Sequence, residues 1–246
     1  MCAFILNRTS KRLPEIDIVL FFSEAKKELP TDASIRTLSP VHVNSALTIH
    51  KPVPFCMIYR LEEMEKVILH EMMHAYKIDF WWDSGHEAYF RDTFKIGDTG
   101  KGIRLSESYN DILACAFMVG IDVFQKMPEC SLSNFIKMYE RRLHYSKMHI
   151  VNVAQRVIAF YGDASVSASP WQEDTHAFSY YVVKALLFLD MPAFTAFLEK
   201  QGGFAIGSNR YKIDNYYKFL KSQVVTKEKL ASLQNIKNNS LRMLDM

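Results

Sequence analysis

His70 and His74 stand four residues apart in His70-Glu71-Met72-Met73-His74. On an α-helix that spacing puts two imidazoles on one face, where a nitrogen of each can meet a single cation. Glu71 then lies beside the same point, free to take a proton. With 8 His and 14 Glu among 246 residues, coincidence would produce His-Glu-x-x-His only about 0.015 times in this chain. A catalytic zinc takes three protein ligands and keeps a fourth position for water, whose pKa it lowers towards about 7. The motif supplies two ligands, so a third must come from elsewhere.

The segment Leu105 to Phe117 reads as an apolar helix whose first turns carry two carboxylates, Glu107 and Asp111. A metal explains both. If Glu107 is the third ligand, Asp111 can accept the remaining ring N–H of a metal-bound histidine and so fix its tautomer and orientation. The stretch between His74 and Glu107 leaves room for a loop and a returning helix.

Together His70-Glu-Met-Met-His74 and Glu107-Ser-Tyr-Asn-Asp111 resemble the gluzincin class of metallopeptidases at all five functional positions. The resemblance implies Zn2+ held by His70, His74 and Glu107, and peptide-bond hydrolysis with Glu71 as general base. A further donor normally steadies the oxyanion. His176 is the preferred candidate, with Tyr180, Tyr181, His144 and His149 as alternatives; the first three follow the helix-breaking Ser169-Pro170. A competing resemblance joins the motif to Gly85-His86 and looks like the SprT-type proteases, in which a histidine after glycine is the third ligand. The Gly-Pro usual after that histidine is replaced here by Glu87-Ala88.

The run Ile58 to Glu71, with Asn44 to Thr48 upstream and Thr175 to Tyr181 downstream, is also similar to predicted zincin-like proteins of large eukaryotic DNA viruses. That likeness covers roughly residues 40 to 190 and implies a viral origin, without naming a substrate. It leaves open a catalytically inactive zincin fold serving as a structural or host-binding virion component.

The elements that must position these residues follow from patterning. Ile16 to Phe22, Val41 to Ile49 and Pro54 to Tyr59 carry strand signals. From Leu61 the apolar residues Met64, Val67, Ile68, Met72 and Tyr76 recur at helical spacing, with Glu62, Glu63 and Glu65 favouring the positive end of the helix dipole. Further helices are expected over Arg104 to Val123, Ser131 to Tyr161 with a break near His149, Glu173 to Leu189, Pro192 to Lys200 and Tyr211 to Gln223. The expected fold is α+β and mainly helical: a zincin-like domain over residues 1–225, with a small sheet in about 1–103 and helices in about 104–225. Residues 226–246 read as a C-terminal helix or loose tail.

Composition narrows the partners. A chain of 246 residues, 49% apolar, can bury a sizeable core. The charge of +3 comes from 30 basic and 27 acidic residues without a dense basic cluster. This argues against nucleic acid, and so against the DNA-bound substrates an SprT-like reading implies. No segment has the length of a membrane span and none reads as a secretory signal. Cys2, Cys56, Cys115 and Cys130 are scattered without metal-site spacing, which suits a reducing, intracellular and cytoplasmic setting. A protein or peptide substrate is the expected partner. The strand around Val41 to Thr48 is either an edge that pairs with an extended peptide or an ordinary sheet edge. Phe80-Trp81-Trp82 and Tyr216-Tyr217 either line a cleft or, more usually, pack in a core.

Overall fold

The computed structural model describes residues 15–32, 34–80, 85–100, 102–162 and 171–223. Three four-residue strands, β1 (Asp17–Leu20), β2 (Ala46–Ile49) and β3 (Phe55–Ile58), form a sheet in the order β1-β3-β2. The central β3 is parallel to β1 and antiparallel to β2, with Thr48 opposite Cys56 and Leu47 opposite Met57. Because side chains alternate along a strand, Thr48, Cys56 and Ile58 turn inward, whereas Leu47 and Ile49 face out.

The strand expected from Val41 is shorter than its pattern suggests. Its first part is α1 (Pro40–Val43), a single helical turn. Ser39 and His42 close a capping box there, and Pro40 supplies the φ of a helix start.

The motif helix, α2 (Met64–Ala75), begins after Glu63, whose φ of 59° is left-handed. Of the three glutamates expected to serve its positive end, only Glu65 lies in the first turn. Glu62 instead accepts the Lys27 N–H at 2.8 Å, and Glu63 pairs with the buried Lys27 ammonium at 3.1 Å. A short helix that the sequence pattern does not announce, α3 (Glu87–Phe94), follows. Its Glu87 points inward and accepts the N–H groups of Ile103 and Arg104 at 2.9 and 3.1 Å.

Helices α4 (Ser106–Lys126) and α5 (Leu132–Tyr161) form an antiparallel pair joined by a short connection. The break expected near His149 does not occur: α5 runs unbroken for 30 residues. No Pro or Gly interrupts it, and Ile150, Val151, Val153, Ala154 and Val157 bury a continuous stripe. The helix expected from Glu173 starts only at Phe178, as a π-helical segment (Phe178–Val183) that leads into α6 (Lys184–Leu189). Glu173 precedes it and accepts the Phe178 N–H at 2.9 Å, acting as a cap rather than a helical residue. Helices α7 (Met191–Lys200) and α8 (Arg210–Gln223) complete the described chain.

One hydrophobic core runs from Leu38 to Leu220 and draws on both the sheet-containing and the helical parts. Phe80, Tyr109, Tyr216 and Tyr217 meet within it, ring against ring. Tyr216 and Tyr217 therefore pack the core and do not line a cleft. Cys56 and Cys115 are buried and Cys130 partly so, all three as free thiols. Among the described residues no single helix is long and apolar enough to cross a membrane; the π segment with α6 and α7 reaches that composition only as a pair bent by 92°. Cys2, Trp81, Trp82, Ser169, Pro170 and residues 226–246 lie outside the described residues.

Candidate metal centre

Three helices meet at the motif, each contributing residues four apart. Helix α2 offers Lys66, His70 and His74; α4 offers Glu107 and Asp111; the π segment and α6 offer Tyr180 and Lys184. Because α2 and α4 run in opposite directions, His70 and His74 reach Glu107 while Lys66 reaches Asp111. The third element matches the register of α4, with Tyr180 at Glu107 and Lys184 at Asp111. A π-helical turn holds one more residue than an α turn, which alters where the following side chains point.

The ligand atoms converge. His70 Nε2 and His74 Nε2 are 3.1 Å apart, and each lies 3.2 Å from Glu107 Oε2. All three residues are buried, between 4 and 7% exposed. His74 Nδ1 lies 2.7 Å from Asp79 Oδ2, so the ring proton belongs on Nδ1 and the Nε2 lone pair faces inward. His70 Nδ1 lies 3.3 Å from Asp111 Oδ1, close enough to attract although not aligned as a hydrogen bond. With both ring protons on Nδ1, the two Nε2 lone pairs and Glu107 Oε2 face one place, with the Tyr180 hydroxyl 3.3 Å from Glu107 Oε2 and Asn110 Nδ2 3.4 Å from His74 Nε2 at its edge. That arrangement is repulsive unless a cation or an added proton occupies the centre. The group could hold a metal ion.

The surrounding charges lean the same way. Asp111 is fully buried and ion-paired with both Lys66 and Lys184, the latter at 2.5 Å. Burial alone would raise its carboxyl, but Lys184 and Lys66 outweigh that and hold it well below the usual range. Glu107 behaves alike: burial works against its charge, yet His74 and His70 pull it well down. His74 is held well above the usual imidazole value because Glu107 and Asp79 overcome its burial. The ion-paired carboxylates Asp79, Glu107 and Asp111, with Glu71 near enough to His70 to act on its charge, stand against the two ammoniums of Lys66 and Lys184. Four carboxylates against two ammoniums leave two negative charges, which one divalent cation, or a proton on each imidazole, would balance.

Glu71 sits beside the ligands and accepts a hydrogen bond from Thr48 Oγ1 of β2 at 2.6 Å. A small cavity of about 30 Å³ lies between Asn44, Ser45, His70, Glu71 and Tyr180, room for about one water molecule. Tyr180 donates to Glu107 Oε2 at 3.3 Å, and its ring lies 5.9 Å from that of His70. Burial, then Glu107, pushes its phenol well above the ordinary range, so it stays a proton donor.

The other candidates do not reach the ligands. His176 has its Nδ1 3.0 Å from the Gly102 carbonyl and its ring 6.5 Å from Tyr180, one layer out. Its φ of 58° is left-handed, and it is Tyr180, not His176, that meets Glu107. Tyr181 is buried in the core, and His144 lies on α5 beside Tyr145; His149, further along α5, is not among the clustered ligands. His86 packs on α8, 3.0 Å from Lys221 Nζ and with its ring 4.9 Å from that of Tyr217, and is not part of the cluster.

Asp79, Lys66, Lys184 and Thr48 belong to the site without having been singled out from sequence. A signal existed for two of them: Lys66 precedes His70, and Lys184 follows Tyr180, by the same four residues that separate the ligands. No protein-family model, curated protein or solved structure matches this chain.

Proposed function

We propose that this chain is a zinc-dependent peptidase of the gluzincin type, with a zincin-like fold. The carrying observation is the convergence of His70 Nε2, His74 Nε2 and Glu107 Oε2 beside Glu71. Ligand atoms around a tetrahedral zinc at 2.0–2.1 Å stand about 3.3 Å apart, and the separations of 3.1 and 3.2 Å here are close to that. Two histidines and one carboxylate also suit ferrous iron; a glutamate placed to move a proton favours hydrolysis.

Zinc bound by these three residues supplies a Lewis acid for the scissile carbonyl and lowers the pKa of the attacking water towards about 7. Glu71 takes the proton from that water and passes it to the leaving amine. Tyr180, through its hydroxyl, is the donor that steadies the oxyanion, in place of His176. Asp79 holds His74 in the tautomer that presents Nε2.

A second reading, a non-enzymatic fold tied together by metal, draws on the small size of the cavity beside the ligands. Zinc content and cleavage of fluorescently labelled casein separate the two. The enzyme reading expects one zinc per chain, turnover by the wild type, and Glu71→Gln protein that keeps its zinc without turnover. Equal proteolysis by wild type and variant rejects it.

A further inference from the structure

We infer that Thr48 is the residue that positions Glu71, an inference that rests on the reading of Glu71 as general base. Glu71 is mounted on α2 between two ligands, but a glutamate carboxylate turns freely unless something grips one oxygen. Thr48 Oγ1 does so, donating to Oε2 at 2.6 Å and lying 3.4 Å from the Glu71 carbonyl oxygen. Among the described residues Oε1 takes no hydrogen bond, which leaves it to meet the attacking water.

Thr48 Oγ1 also has a neighbour behind it. Cys56 Sγ lies 3.3 Å from Thr48 Oγ1 across the β2–β3 pair. Burial keeps Cys56 a neutral thiol, and its Sγ also lies 4.0 Å from the Glu71 carbonyl oxygen, so its one proton has two acceptors within reach. A hydroxyl that accepts from Cys56 has its one proton left for Glu71. Threonine is stiff at χ1, so a strand position opposite Cys56 also fixes where the hydroxyl points.

Thr48 hydrogen-bonds to Cys56 and Glu71 and to none of the three ligands, so its effect is separable from metal binding. The test compares crystal structures of the zinc-loaded wild type, Thr48→Val and Thr48→Ser. In the valine variant zinc stoichiometry is unchanged and the Glu71 carboxylate leaves its wild-type orientation; serine restores it. With labelled casein the valine variant loses about 10- to 100-fold in kcat, as misplacement of a catalytic group by about 1 Å does, with KM little changed. A Glu71 carboxylate that keeps its orientation in Thr48→Val overturns the inference, whatever the activity. Wild-type protein that cleaves nothing rejects the peptidase reading alone, because the carboxylate comparison stands without turnover. If Thr48→Val fails to fold, Thr48→Ala carries the same comparison.

Discussion

Replacing Asp79 by Asn tests the electrostatic logic of the metal centre most directly. Asp79 is 2% exposed, and its Oδ2 lies 2.7 Å from His74 Nδ1. An ionised carboxylate can only accept, so it compels the Nδ1–H tautomer and turns the Nε2 lone pair towards the ligands. Asparagine can present its amide N–H to Nδ1 instead, and the ring proton then moves to Nε2, where it blocks coordination. The variant also loses one of the four negative charges of the cluster. Removing such a partner of a metal-bound histidine weakens metal affinity by about 10- to 100-fold, or roughly 1.4 to 2.7 kcal/mol at 1.36 kcal/mol per tenfold change. Competition against a chromophoric zinc chelator at pH 7.5 measures this, with far-UV circular dichroism to confirm the fold. His86→Ala, far from the ligands on the α8 side, serves as the control and leaves affinity unchanged. An Asp79→Asn protein that folds and binds zinc within twofold of wild type refutes the reasoning. So would His86→Ala weakening zinc as much, since that makes His86 a ligand.

Two further outcomes concern stability. Glu173 is buried, with Oε1 accepting from Trp171 and Phe178 and Oε2 without a partner, and burial pushes its carboxyl up from 4.5 to about 7. The folded state favours the neutral acid, so its contribution is fully present below pH 4.5 and is lost as pH rises through 7, by about 3 kcal/mol. Urea unfolding of metal-free protein at pH 5 and pH 8 should therefore show a steeper loss for wild type than for Glu173→Gln, and equal losses would contradict it. Lys184→Met removes one partner of a fully buried pair while Lys66 remains on Asp111. Breaking a buried pair costs about 3 to 5 kcal/mol, so with Lys66 retained the expected destabilisation is near 3 kcal/mol; a loss under about 1 kcal/mol in the unfolding free energy would show that Lys66 alone suffices.

What the sequence determined by itself was local. A four-residue spacing maps onto one helical face wherever the helix lies, so His70, Glu71 and His74 were legible together, as were Glu107 and Asp111. That Glu107 meets the two histidines followed from charge and apolar context, since an ionised side chain on a buried helix needs a partner. An apolar run bounded by prolines likewise announced β3, and helical patterning announced α4 and α8.

Only the tertiary structure decided which distant groups meet. The parallel pairing of β1 with β3 leaves no local trace. Strand β2 brings Thr48 to Glu71 across 23 residues, and the turn after α2 folds Asp79 back onto His74. The π segment sets Tyr180 against Glu107, whereas His176 lies before that segment, against the Gly102 carbonyl. The pairing of Asp111 with two lysines was hidden for a related reason: helical period tells which face a residue occupies, whereas the approach of three helices decides what that face meets.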